Sequence, residues 1–131
     1  MKEGFNGESF TINDTDSSLN PSSEYDLTRV NSRNGNSLGE DVIHYGGNSG
    51  YQAVNLAYLL GAKTIILLGF DMFGTHYFGN HPANLNNGSP YKRFIEAFET
   101  INPKKHGIEI INCSRQTALE CFPRTTIESV L

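Results

Sequence analysis

One stretch of the sequence, residues 42–69 (VIHYGGNSGYQAVNLAYLLGAKTIILLG), constrains the fold more than any other. It begins with a short β-prone run at residues 42–45, continues through a turn of small residues, and has helical composition over residues 52–60. Residues 64–68 are apolar and β-branched without polar alternation, which is typical of a strand covered on both faces in a parallel sheet. The order strand, glycine-rich turn, helix, strand predicts a βαβ unit with a right-handed crossover.

The predicted helix has recognisable signals at both ends. Asn48 or Ser49 suits the N-cap position, because its side-chain oxygen can accept a hydrogen bond from an amide of the first turn. Gly61 fits the left-handed position that commonly follows a helix.

The segment before this unit gives a weak signal of secondary structure, and the segment after it gives a stronger one. Residues 1–41 are polar and irregular, with two candidate strands at residues 9–12 and 27–30. Downstream, Ser89-Pro90 is predicted to begin a second helix, with proline in its first position, and Asn102-Pro103 to end it. Residues 108–111 are predicted to be a third apolar strand, and a last helical turn is expected from Thr126. The apolar residues of the second helix recur at helical spacing: Tyr91, Phe94, Ile95, Phe98 and Ile101.

These elements predict an α/β fold in two regions. Residues 1–41 are expected to be an irregular polar segment with possible short strands, and residues 42–131 to form the order β-α-β-(long loop)-α-β with three parallel strands. The chain has 131 residues, which suffice for a single hydrophobic core.

Composition excludes several classes of function. The net charge of −4 argues against a general nucleic-acid-binding or anionic-membrane surface, which would need clustered Lys and Arg. The apolar runs fall short of the about 20 residues that span a bilayer, and the N-terminal residues lack the apolar core of a signal peptide. Cys113 and Cys121 have no CxxC spacing, so we expect free, buried, inert thiols and a cytoplasmic location.

The glycine-rich turn is a candidate binding site. Amides at a helix N-terminus, flanked by small residues, can hold a phosphate or carboxylate. The sequence GGNSG matches neither GxGxxG nor GxxxxGK[ST], so a turn that merely connects strand to helix is an equally open reading. The residues predicted to bind the ligand are Gly47, Asn48, Ser49, Gly50 and Tyr51.

Tyr51, Asn55 and Tyr58 share one face of the first helix. We expect Asn55 and Tyr58 to pack in the core, and Tyr51, in the first turn, to lie nearer to the ligand.

The long loop at residues 70–89 is the second candidate site. It leaves the carboxyl end of a predicted parallel strand, where open α/β sheets bind ligands, and loops of this length are often functional. Asp71, His76 and His81 are its candidate catalytic residues, because histidine titrates near neutrality and a carboxylate can orient it. The same three residues could bind a metal, but each is five positions from the next, a spacing that matches no established ligand pattern.

Several motifs carry a resemblance to known families. The segment SGYQAVNLAYLLGAKTIILLGFDM, with THYFGNHP, GIEIINCS and ECFPR, resembles uncharacterised proteins of tailed phages and prophages. More distantly, the sequence is similar to bacterial sialyltransferases of glycosyltransferase family 42 and to the pterin diphosphokinase-like group. Ser49-Gly50, Gly69-Phe70-Asp71 and residues 76–79 match the sialyltransferase motifs, while His81, the equivalent of the catalytic base, is shifted by one position.

The resemblance implies a partial Rossmann-like, three-layer α/β/α fold that lacks the N-terminal nucleotide-binding half. It implies a glycosyltransferase-like domain that transfers a sugar from a nucleotide sugar, without a metal or other cofactor, with His81 as general base and Asp71 positioning the loop. Two alternatives stay open: a non-catalytic phage accessory or nucleotide- or anion-binding module, and a metal-dependent hydrolase using Asp71, His76 and His81. The expected partner is a small-molecule nucleotide or nucleotide sugar, with self-association or pairing with a missing N-terminal half suggested by an open sheet edge.

Overall fold

The computed structural model describes residues 7–13, 27–74 and 90–131. Within these ranges the chain is an α/β protein with short parallel sheets and two α-helices. The candidate catalytic residues His76 and His81, and Ser89, where the second helix was predicted to begin, lie outside the described residues. No helix in the described ranges is long and apolar enough to cross a membrane.

The strands form two separate parallel sheets. Strands β1 (Ser9–Asn13), β2 (Leu27–Arg33) and β3 (Ile43–His44) pair in that order, and β4 (Thr64–Leu67) pairs with β5 (Glu109–Asn112). The two candidate strands of the N-terminal region are therefore confirmed, and both are longer than predicted.

The prediction of one sheet with three parallel strands is wrong within the described residues. Strand β3 pairs with β2 through Ser32 and Arg33, and the Tyr45 amide also donates to the Arg33 carbonyl at 3.2 Å. The neighbour of this short strand is thus a polar strand, whose sequence carried little apolar signal. Gly46 and Gly47, with φ of 55° and 74°, then turn the chain away from the strand.

Helix α1 (Ser49–Leu59) has the ends that the sequence predicts. Asn48 is the N-cap, and its side chain accepts a hydrogen bond from the Tyr51 amide at 2.8 Å. At the other end Gly61 has φ of 94°, and its amide donates to the Tyr58 carbonyl while the Ala62 amide donates to Ala57, both at 3.0 Å. These two bonds form a Schellman motif, which pairs carbonyls that the helix itself leaves without donors.

Helix α2 (Tyr91–Glu99) is shorter than predicted at both ends. Pro90 occupies the N-cap rather than the first helical position. The helix ends at Glu99, where the Thr100 hydroxyl donates to the Ala97 carbonyl at 2.7 Å. Pro103 instead begins a separate 3-10 helix, Pro103–His106.

The main core lies between the two helices and the β4–β5 sheet. Phe98 of α2 is completely buried, and its ring contacts those of Tyr51, Phe70 and Phe122. In the sheet register Ile65 stands beside Ile110, and both are buried. The alternate β4 residue Ile66 is only partly covered, so the prediction of a strand buried on both faces is partly correct.

The tail packs back on β5. Its apolar segment contributes Leu119 and Phe122 to the core, and Arg124 forms an isolated parallel bridge with Asn112. A 3-10 helix follows at Ile127–Ser129, as the sequence predicts from Thr126.

Candidate functional site

A cavity of about 840 Å³ opens where β4 and β5 end. This is the carboxyl end of a parallel sheet, the edge at which α/β proteins usually bind ligands. Its volume lies within the range that small-molecule sites occupy. The lining residues come from the exits of both strands and from the tail: Leu68, Gly69, Asp71, Cys113, Ser114, Arg115, Arg124, Thr125, Thr126, Ile127 and Glu128.

The exit of β4 is fixed to the exit of β5 by hydrogen bonds. The Cys113 amide donates to the Leu67 carbonyl at 2.9 Å, which continues the ladder past the end of the sheet. The Phe70 amide then donates to Ser114 Oγ at 2.8 Å, and the Ala118 amide donates to the Asp71 carbonyl at 2.8 Å. Asp71 is therefore held by its backbone at the cavity, with an exposed side chain.

A buried asparagine holds the other wall. Asn112 is completely buried, and its Oδ1 accepts a hydrogen bond from the Ser114 amide at 3.0 Å. Its Nδ2 donates to the Leu119 carbonyl at 3.1 Å, and its backbone amide donates to Pro123 at 2.8 Å. All these polar groups are buried and hydrogen-bonded. Asn112 therefore holds the turn after β5 and the returning tail in fixed positions relative to each other.

Two arginines supply positive charge at the cavity. Arg124 Nη2 donates to the carbonyls of Ser114 and Arg115 at 3.2 and 3.3 Å, which fixes its guanidinium against the β5 exit. Arg115 is exposed and also lines the cavity. Asp71 and Glu128 contribute negative charge to the same lining, so the cavity has mixed charge.

The glycine-rich turn does not line this cavity. Gly50 lies against Phe70, since an added Cβ would stand 3.0 Å from the ring, and Ser49 instead lines a smaller groove of about 160 Å³ beside β1 and β2. Gly47 is exposed, with left-handed φ. Phe70, the residue before Asp71, thus links the turn to the exit of β4, but none of the residues 46–50 is among those that line the cavity.

The amides of the turn are partly used by the protein itself. Asn48 accepts from the Tyr51 amide through its side chain and from the Gln52 amide, at 3.3 Å, through its carbonyl. The Tyr51 amide, one of the first-turn donors that an anion would need, is therefore already bonded, while the Gln52 amide makes the first regular bond of the helix.

Tyr51 lies in the core rather than on a ligand-binding side. Its side chain is 1% exposed, and its hydroxyl donates to the Ser37 carbonyl at 2.5 Å. This placement differs from the expectation, because the first turn of α1 faces the loop at residues 34–40. Asn55 is buried as expected, and the Tyr58 hydroxyl is bonded to Glu40.

The cysteines differ from each other. Cys113 is buried beside the cavity, as expected, whereas Cys121 is exposed, so the prediction of burial is wrong for Cys121. Desolvation nevertheless raises the pKa of the Cys121 thiol to about 11. Both thiols are free.

Among the described residues, no group of three or more His, Cys, Asp or Glu side chains is arranged to hold a metal ion. Of the proposed set Asp71, His76 and His81, only Asp71 falls within those residues.

Sequence reasoning missed most of the residues that line the cavity, including Ser114, Arg115 and Arg124. Ser114 and Arg115 follow an apolar parallel strand directly, and this signal could have identified them as it identified Asp71. Arg124 had no such signal, since it reaches the cavity only through the bridge between the tail and Asn112.

Comparison of the chain with protein families, with curated proteins and with solved structures gives no significant match. The phage-protein and sialyltransferase resemblances therefore stay predictions.

Proposed function

We propose that the cavity at the carboxyl ends of β4 and β5 binds a nucleotide or nucleotide sugar, and that the domain is glycosyltransferase-like. One observation carries the proposal: a ligand-sized cavity at the carboxyl edge of a parallel sheet has Arg115 and Arg124 in its lining. Guanidinium groups bind phosphate through paired, charge-assisted hydrogen bonds.

The neutral lining suits the remainder of such a ligand. Three hydroxyl-bearing residues, Ser114, Thr125 and Thr126, line the cavity, and hydroxyls can both donate to and accept from a ribose or sugar. Ser114 Oγ accepts from the Phe70 amide, so its orientation is already set before a ligand binds. Gly69 also lines the cavity and has no side chain, so a ligand can approach its backbone closely.

The catalytic part of the proposal rests on the resemblance. It assigns the general base to His81, outside the described residues, and a positioning role to Asp71 at the cavity. We also propose the finer fold, a partial Rossmann-like α/β/α arrangement, supported by the parallel β4–β5 pair with α2 between these strands in sequence. The free cysteines support a cytoplasmic location, in the host cell if the protein is phage-encoded.

Calorimetric titration of the purified protein with CMP, UMP, GMP, AMP and their sugar conjugates tests the proposal. We expect at least one to bind, and Arg115→Gln to weaken that binding about 10- to 100-fold, because a hydrogen bond to a charged group is worth about 1.5–3 kcal/mol. Arg93→Gln is the matched control, since it removes the same charge from an exposed position on α2.

Unchanged affinity in Arg115→Gln, or no binding of any nucleotide, would refute the assignment of this cavity. Sugar transfer is then tested by measuring the turnover of the bound sugar nucleotide, which is detected as release of free nucleotide. Loss of turnover in His81→Ala with binding retained supports the transferase, whereas binding without turnover in the parent protein supports the non-catalytic nucleotide-binding module.

A further inference from the structure

A second cluster of reactive side chains lies outside the cavity, where the loop at residues 34–40 meets the 3-10 helix Pro103–His106. Ser37 Oγ is 2.9 Å from His106 Nε2, and His106 Nδ1 is 2.8 Å from Glu40 Oε1. The His106 side chain is 5% exposed, Ser37 is half-buried, and Glu40 is exposed. The cluster therefore combines a buried imidazole with the hydroxyl of a half-buried serine and the carboxylate of an exposed glutamate.

The hydrogen bonds fix the direction of the serine proton. The Tyr58 hydroxyl donates to Glu40 Oε2, and this bond, with the contribution of His106, holds the pKa of the Glu40 carboxyl below its usual value. An ionised carboxylate can only accept, so Nδ1 of His106 must carry a proton. In the neutral imidazole Nε2 is then an acceptor, and the Ser37 hydroxyl must donate to it.

The backbone of Ser37 is held in an uncommon conformation. Its φ is 64°, in the left-handed region that non-glycine residues rarely adopt. The Ser37 amide donates to Thr100 Oγ1 at 2.8 Å, and the Ser37 carbonyl accepts from the Tyr51 hydroxyl at 2.5 Å. The His44 ring also contacts this carbonyl, through Nδ1 at 2.9 Å. Strain of this kind persists only where the surroundings fix it, and it is concentrated at functional sites.

We propose that Ser37, His106 and Glu40 form a second reactive centre, a serine esterase centre that cleaves small carboxylic esters. The arrangement meets the geometric requirement for an activated nucleophile: a hydroxyl within hydrogen-bond reach of a base, and the base oriented by a third group. None of the three residues lines the cavity at the β4 and β5 exits, so this inference is independent of the proposed nucleotide site.

The reaction follows from these positions. Ser37 Oγ bonds to the ester carbonyl carbon while its proton moves to His106 Nε2. The bond to the alcohol oxygen breaks, and the alcohol leaves with that proton. Water then attacks the acyl-serine with His106 again as base, which releases the carboxylic acid and restores the Ser37 hydroxyl. Glu40 stabilises the transient imidazolium and keeps its ring oriented.

The test uses the intact protein with a fluorophosphonate probe, which reacts covalently with activated serines, and with p-nitrophenyl acetate as ester. Peptide mass spectrometry should place the adduct on Ser37. Ser37→Ala should abolish labelling and ester cleavage, and Glu40→Gln should slow labelling about 100-fold by removing the orienting charge. Ser129→Ala is the control, because it removes another exposed hydroxyl and should leave both signals unchanged. Thermal unfolding of each variant identifies any loss of fold.

The pH profile separates a reactive centre from a purely structural network. Labelling should fall on acidification, because a protonated His106 cannot accept the serine proton. The titratable and charged groups around this imidazole are Glu40, Tyr58, Lys105 and, through the Ser37 carbonyl, His44. An unlabelled Ser37 in the folded parent protein, or equal labelling of parent and Glu40→Gln at every pH, would overturn the proposal.

Discussion

Replacement of Asn55 by leucine should remove the link between α1 and the loop that precedes β3. Asn55 is completely buried, and its Oδ1 accepts from the amides of Gly39 and His44, both at 2.9 Å. Its Nδ2 donates to the Gly39 carbonyl at 3.1 Å. Leucine is similar in size but makes none of these bonds, so two buried amides lose their only acceptor.

The expected cost follows from that count. Each buried group left without a partner costs about 1–3 kcal/mol, so two amides predict a loss of about 2–6 kcal/mol in the free energy of unfolding. A domain has only about 5–15 kcal/mol in total, and the loss should therefore be large. Urea unfolding followed by far-UV circular dichroism measures it, with the midpoint compared at constant slope.

Asn102→Leu is the matched control for this measurement. Asn102 is exposed, and its side chain makes no capping hydrogen bond to the following 3-10 helix, so its replacement should change stability by less than about 0.5 kcal/mol. A loss below about 1 kcal/mol in Asn55→Leu would refute the reasoning, because it would mean that the Gly39 and His44 amides find other acceptors or water.

Two further predictions concern the glycines and the thiols. Gly46→Ala should destabilise the protein more than Gly61→Ala in urea unfolding: both sites have positive φ, but a Cβ at Gly46 would stand 2.1 Å from the Tyr51 ring, whereas nothing lies within 4 Å of one at Gly61. Gly61→Ala should lower the free energy of unfolding by about 1–2 kcal/mol from backbone strain alone. An equal loss in the two variants would show that the Tyr51 ring moves aside freely. Alkylation of Cys121 by iodoacetamide should be slow at pH 8 and should keep accelerating up to about pH 11, because its raised pKa keeps the thiol protonated until then and only the thiolate reacts. A rate that levels off near pH 9 would contradict this.

The parts of the fold that the sequence predicted are those with local, periodic signals. Helix α1 was bounded by Asn48 and Gly61, and strands β4 and β5 were visible as apolar runs. The pairing of β3 with β2 was not predictable in the same way, because it depends on backbone bonds to Ser32 and Arg33, whose side chains give no apolar pattern.

The candidate site was predicted in its location but not in its composition. Asp71 was found because it follows β4 directly, whereas Arg124 reaches the cavity through a distant bridge to Asn112. The position of Tyr51 was misjudged for a similar reason: nothing local indicates that the Ser37 carbonyl approaches its hydroxyl. Contacts between segments far apart in sequence decide both cases.

The bridge between the tail and β5 has a consequence for the protein during its synthesis. Residues 124–128 form one wall of the cavity, while Gly69 and Asp71, which follow β4, leave the ribosome much earlier. Since chains emerge from the N-terminus, a nascent chain can bury much of its core before the cavity exists. If the proposed nucleotide binds there, it could act only after residues 124–128 have emerged, and could not serve as a template for earlier folding steps.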